Sequence, residues 1–357
     1  MNAHSFLPQS PKLVANQKKK VCLVALLFLL VPFNLYLPLG LPTRAAAQTL
    51  DRQFNGTGPN VDLRQEADLL LRLGSQQERS GALDKAIESW SSALNLYQRI
   101  GDLDSMGIAY GYMGLAYANL GRFREAEDAL RRRLGIARTN RDFQGQVFAL
   151  NNVGTMLLQR GSIQAAQESF QEALDIARGI NHIAGQGLSL SNLGLAAAAV
   201  QDFNQAIKRY EEALSFRRRG GDALGEINTL NNLGDAYWGN RNYAETIGAY
   251  GAALRLADQA RDRDGLQRAI DGLVVAHRSV GRFERALDLL DRRLAIAQEQ
   301  GDRASELVAV RSLAQLYQQS RNLRASRSFY ERAILLARSL GDKQAEALLV
   351  NQLINLN

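Results

Sequence analysis

The chain repeats itself every 40 residues, and this constrains its fold more than any other property. On a ruler of that length, residues 69–348 fall into seven copies with no insertion or deletion. A glycine recurs at Gly74, Gly114, Gly154, Gly194 and Gly234, with Val274 and Ala314 in the last two copies. Twelve places later stands a small residue: Ala86, Ala126, Ala166, Ala206, Thr246, Ala286 and Ser326. Eight places beyond is a large apolar one: Leu94, Leu134, Leu174, Leu214, Leu254, Leu294 and Ile334. A unit this short cannot bury its apolar face alone, so the period calls for a stack of similar supersecondary units.

Within one copy, Leu230, Leu233, Gly234 and Tyr237 follow the spacing of one helix face, which predicts a first helix, A. Tyr243, Ile247, Tyr250 and Leu254 repeat a helical stripe after a short turn and predict a second, antiparallel helix, B. All six prolines lie in the first 59 residues, so nothing afterwards has to break a helix, and the chain reads as all-α. The first glycine column lets A and B approach; the next, Gly81, Gly121, Gly161 and Gly281, suits a helix end with positive φ. Where that second glycine is lost, the pairs Gln201-Asp202, Arg241-Asn242 and Arg321-Asn322 are expected to supply the turn through Asp or Asn. Asp102, Asp142, Asp222, Asp262, Asp302 and Asp342 close the turns between units and are predicted to cap the following helix A.

The order of landmarks resembles the tetratricopeptide repeat, seen as Tyr110, Met113-Gly114, Tyr117, Ala126 and Leu130 in one copy and Leu230, Leu233-Gly234, Tyr237, Tyr250 and Ala253 in another. The period of 40 and the string Asn231 to Gly234 resemble the longer repeats of kinesin light chains and of Leu-Gly-Asn-type signalling modulators more than the usual repeat of about 34. The expected architecture is a right-handed α-α superhelix of about seven helix-turn-helix units over 63–348, with 349–357 starting an eighth helix A.

At about 100° per residue, three positions on each helix A turn away from its core stripe: two before the first bulky residue, and one and five after it. They are expected to line a concave groove: Ile108, Gly111 and Leu115; Phe148, Asn151 and Thr155; Leu188, Ser191 and Leu195; Asn228, Asn231 and Asp235; Arg268, Asp271 and Val275. Beside them runs a ladder, Tyr112, Asn152, Asn192 and Asn232, with Trp238 close to Asp235. In the families it resembles, such Asn side chains hydrogen-bond the backbone of an extended peptide. An amide that both donates and accepts suits a peptide unit, or equally a neighbouring helix. Carboxylate capture by basic residues on adjacent A helices is not expected, because that stripe offers only Arg79 and Arg311, far apart in sequence. The strings Arg131-Arg132-Arg133, Arg217-Arg218-Arg219 and Arg292-Arg293 read as solvated B-helix surface.

The N-terminus carries Lys18-Lys19-Lys20, an apolar run from Val21 to Val31, and Ala45-Ala46-Ala47, the layout of an export signal across 1–47. Cleavage after Ala47 is preferred to an uncleaved membrane anchor through 21–41, and 48–62 reads as linker; either way the repeats are expected outside the cytoplasm. Cys22, the only Cys, lies in that segment, so the repeats carry no disulfide. Five of the 43 basic residues, Lys12, Lys18, Lys19, Lys20 and Arg44, precede the first acid, Asp51, so the body is near neutral and nucleic acid is not the expected partner. His4, His182 and His277 have no metal spacing, and there is no phosphate-binding loop or nucleophile elbow. No metal, no cofactor and no enzymatic activity are expected. The expected function is a protein-binding scaffold whose groove takes an extended partner segment. The alternatives are self-assembly into a homo-oligomer through the C-terminal end, where Leu353 and Ile354 sit, and regulation of a separate envelope enzyme.

Overall fold

The computed structural model describes residues 59–356, so the expectations for the export segment and most of the linker lie outside the described residues. Every regular element described is a helix. In A–B pairs these are α1 (Pro59–Arg79) with α2 (Leu83–Ile100), α3 (Leu103–Asn119) with α4 (Phe123–Thr139), and α5 (Phe143–Gln159) with α6 (Ile163–Gly179). There follow α7 (Ile183–Ala199) with α8 (Phe203–Arg219), α9 (Ala223–Gly239) with α10 (Tyr243–Ala260), and α11 (Arg263–Ser279) with α12 (Phe283–Glu299). The last pair is α13 (Arg303–Gln319) with α14 (Leu323–Ser339), and α15 (Lys343–Ile354) is an eighth helix A. Two boundaries differ from expectation. The first helix begins inside the span read as linker, with Pro59 at the start, where a missing N–H costs nothing. The eighth begins at Lys343, directly after its capping Asp342.

The small-residue column is the tightest seam of the core: Ala86, Ala126, Ala166, Ala206, Thr246, Ala286 and Ser326 are all fully covered. The first glycine column seats a side chain from helix B. A Cβ on Gly234 would stand 2.8 Å from the Tyr250 ring, and Phe170, Tyr210 and Trp90 fill the same place beside Gly154, Gly194 and Gly74.

The turns keep one geometry throughout, but the sequence expectation about them needs correcting. Positive φ falls on Gln201, Arg241 and Arg321, not on the Asp or Asn that follows. Those followers are caps: Asp202 accepts from the Gln205 N–H at 3.0 Å, and Asn242 and Asn322 do likewise three residues on. The strained residue is held by the turn itself, as where Asp142 N–H donates to the Ala137 carbonyl at 2.9 Å across Arg141. The six predicted Asp caps all accept a backbone N–H at the start of their helices.

Candidate functional site

Successive A helices touch one another, α3 on α5, α5 on α7, α7 on α9 and α9 on α11, while each B helix packs chiefly on the A helices flanking it. The A helices are therefore the closer-set row of the array, and the surface they share is the candidate groove. Its rim is apolar towards the N-terminal units, with Ile108 exposed and Leu115, Phe148 and Leu195 half-buried. Further on, Asn228 is exposed and Asp235 and Trp238 are half-buried. Tyr112 stacks on Trp90 at 5.2 Å, Phe148 meets the His182 ring edge-on at 5.7 Å, and Trp238 leans on Tyr243 at 5.0 Å.

The expected Asn ladder lies inside this row rather than on its surface. Asn151 is 1% exposed; its Nδ2 donates to the Val147 carbonyl at 2.8 Å and to Ser189 Oγ at 2.9 Å, and its Oδ1 accepts from Asn192 Nδ2 at 2.8 Å. Asn231 is fully covered and donates to the Gly265 carbonyl of α11 at 3.2 Å. Asn232 accepts from Arg268 Nη2 at 2.6 Å. Asn152 is also buried, as is Leu188, and Asn152 makes no side-chain hydrogen bond to a described residue. The reading of these five Asn as an open floor is thus corrected. Adjacent A helices sit close enough that one amide spans the gap, and a covered polar group takes whatever partner lies in reach.

A charged cluster keeps one end in solvent. Arg268 Nη2 reaches Asp235 Oδ2 at 2.5 Å, and the two side chains are 39% and 42% exposed. Tyr250 donates its hydroxyl to the other oxygen of Asp235. Burial, reinforced by the Asp235 carboxylate, raises the Tyr250 phenol well above its ordinary range, and the same causes raise Tyr210. Burial alone would pull Arg268 down, but Asp235 beside it wins and holds it above its usual value. Units five and six therefore offer an acid, a base and an indole along one edge. No group of His, Cys, Asp or Glu that could hold a metal occurs among the described residues.

The family model for the tetratricopeptide repeat matches residues 65–139, 146–219, 186–259 and 225–299, more than half of the chain. The chain is a tetratricopeptide repeat protein. No curated protein is significantly similar to it in sequence. Among solved structures it is similar to BtubC (BKLC) from P. vanneervenii, at a TM-score of 0.56 and 19% identity, covering 62% of this chain and 93% of that one. It is similar also to a STAND protein with a tetratricopeptide repeat sensor from Pyrococcus horikoshii, at a TM-score of 0.61 and 16% identity, over 81% of this chain but only 45% of that one. A Rap protein complexed with competence and sporulation factor matches at a TM-score of 0.56 and 12% identity, over 87% of this chain and 78% of the other. These likenesses show the fold. Tetratricopeptide repeat arrays are in general non-catalytic scaffolds that bind proteins.

Three arginines of this tetratricopeptide repeat protein depart from the solvated reading of their strings. Neighbours on a helix point about 100° apart, so a run of Arg does not share one face. Arg131 and Arg132 pair outward with Glu127 and Asp128, but Arg133 turns inward and is partly buried. Arg292 pairs outward with Asp258, while Arg293 is buried and pairs with Asp271. Arg217 is buried against Gly187 and Gly225 and pairs with Asp222, while Arg218 reaches Glu226 at the surface. The repeat register carries the signal that composition hides. Arg133 and Arg293 occupy the column that is Ala93, Ala173, Ala213, Ala253 and Ala333 elsewhere, each fully covered. Burial pushes Arg133 down to about 10, opposed by Tyr112 and Asp142.

Proposed function

We propose that this tetratricopeptide repeat protein is a non-catalytic adaptor that holds an extended segment of a partner protein along its A helices. The observation that carries the reading is the graded rim of that row. Ile108, Leu115, Phe148 and Leu195 offer apolar contact, and Asn228, Asp235, Arg268 and Trp238 offer polar and aromatic contact further along. Solenoid inner faces of this kind serve extended ligands because successive units present equivalent positions at regular spacing. The acids in the turns are spent on capping, which supports a scaffold over a catalyst.

The test is selection of a random dodecapeptide library, displayed without free C-termini, on the immobilised full chain. Selected peptides are then titrated against Ile108→Lys/Asn228→Lys, both exposed positions, and against Leu335→Glu on α14, where Leu335 is 63% exposed. Loss with the first variant and retention with the second is the expected result; peptides indifferent to the groove pair would move binding elsewhere. We propose further that the repeats act outside the cytoplasm, on the strength of Lys18-Lys19-Lys20, the apolar run to Val31 and Ala45-Ala46-Ala47. A mature N-terminus at Gln48 in the host's extracytoplasmic fraction is the expected finding.

A second reading has its own observation. On α15, Leu348 is 50% and Ile354 is 70% exposed, apolar side chains through which two copies could stack. Oligomers that grow with concentration and vanish in Leu353→Glu/Ile354→Glu would favour it.

A further inference from the structure

The column that holds Arg133 and Arg293 is matched, in the same two units, by a second departure. One place after the first bulky residue of helix A, those units carry Gly111 and Asp271. The pairing is not accidental to the geometry: Arg293 forms an ion pair with Asp271, and Arg133 fills the space that a side chain on Gly111 would take. One unit answers its inward arginine with a carboxylate of its own. The other makes room for the arginine and supplies none: among the described residues Arg133 has no ion pair and no hydrogen bond. Asp142, whose charge it feels, is engaged as a cap, accepting from the Gly145 N–H at 2.8 Å.

One neighbouring donor is unengaged as well. In the next pair of units Asn192 donates to Asn151, the residue in the Gly111 column. Asn152 stands in register with Asn192, and the residue it would address is Gly111, which has no side chain to accept. Asn152, 2% exposed, therefore keeps its amide without a side-chain hydrogen bond to a described residue, whereas Tyr112 is engaged on its other side, with Ser75 as its hydrogen-bond partner and Glu78 near by. A guanidinium and an amide converge by register on one place between α3 and α5, where neither has an acceptor of its own among the described residues. A partly buried cation is costly to leave unpaired. A carboxylate suits both donors at once, because it accepts on both oxygens and bears the charge opposite to that of the guanidinium.

We infer that Arg133 and Asn152 form a carboxylate-binding site that takes an acidic side chain of the partner segment, beside the apolar contacts offered by Ile108 and Phe148. The site rests on the groove reading above and adds the chemical identity of one ligand residue. Its cation comes from a B helix, so a search of A helices for a carboxylate clamp passes over it.

The test uses the dodecapeptides selected on the full chain and two variants that mimic other units. Arg133→Ala restores the residue of the Ala column, and Gly111→Asp installs the internal carboxylate of the Arg293 unit; a Cβ there meets the mobile end of Arg133, which can move aside. Selected peptides are expected to share an Asp or Glu, and to lose at least about tenfold in affinity with either variant and with Glu→Gln in the peptide. Thermal midpoints of both variants are expected at or above that of the parent, which separates lost binding from lost folding. Peptides weakened by Ile108→Lys/Asn228→Lys but indifferent to Arg133→Ala and Gly111→Asp overturn the carboxylate site and leave the groove standing. Peptides indifferent to all of these, or no selected peptide at all, overturn both.

Discussion

Asn151→Ala tests whether the Asn ladder holds repeats together. The substitution removes two donated bonds and one accepted bond at a residue only 1% exposed. The Val147 carbonyl keeps its helical partner, and the Ser189 hydroxyl can rotate back towards its own helix. The Asn192 amide has no such recourse: at 3% exposure it loses Asn151 Oδ1, and water cannot easily replace it. A buried donor left unsatisfied costs about 1–3 kcal/mol, and the void left by the carboxamide adds to it, so a loss of about 2–3 kcal/mol is expected. Asn192→Ala removes the other end of the same bond. The two substitutions should therefore be non-additive by about 1 kcal/mol in a double-mutant cycle.

Long repeat arrays do not always unfold as one unit, so the assay must report locally. Native-state hydrogen exchange of α5 and α7 serves, with urea unfolding followed by circular dichroism beside it. The two tryptophans help, since Trp90 lies in the first unit and Trp238 in the fifth, on either side of the bond. Opening at the α5–α7 boundary should separate their fluorescence transitions. A stability change under about 0.5 kcal/mol, with additive singles, would refute the cross-repeat role and return these amides to the groove.

Gly234→Ala should destabilise by about 1–2 kcal/mol although alanine is the better helix former, because the new Cβ stands 2.8 Å from the buried Tyr250 ring; an unchanged or raised midpoint would refute the packing argument. Stability should be intact below about pH 10 and fall above it, since unfolded phenols ionise there while Tyr250, Tyr210 and Tyr237, the last pushed up to about 12 by burial and Glu211, keep their protons in the fold. Absorbance at alkaline pH reads the delayed phenols, and Tyr210→Phe should flatten the loss. On the acid side, burial depresses His182 and His277, so their contribution is present above about pH 6.5 and lost as pH falls below it; His277→Gln should shrink that slope in pH-dependent urea melts.

The helices, their pairing and their caps were legible because they recur: seven copies average out local accident, and Asp at a fixed offset has one job in six of the seven turns between units. Positive φ on Arg141 or Gln201 was not legible, since it is imposed by turn hydrogen bonds on a residue with no preference for it. Nor was the destination of the Asn side chains. An amide serves a bound peptide and a neighbouring helix equally well, and the choice depends on the distance between A helices, which no single unit encodes. The inward arginines were hidden for the opposite reason. Read as strings they look like surface, whereas read down the Ala column they stand out at once.

Residues common to all copies report what stacking requires, and residues peculiar to one copy report something else. Stacking asks for Ala at the column of Arg133 and Arg293, and five units comply. An array that departs twice must tolerate two buried cations, each costing stability unless paired. In the Arg293 unit the departure is cancelled by Asp271, so the net effect on the surface is small. In the Arg133 unit nothing described cancels it, and the cost persists in the free protein. A cost that persists in the free protein and can be relieved by a ligand is binding energy held in reserve, since the ligand then stabilises the fold by mass action. Saturating acidic peptide should accordingly raise the midpoint of the parent chain and leave that of Gly111→Asp unmoved.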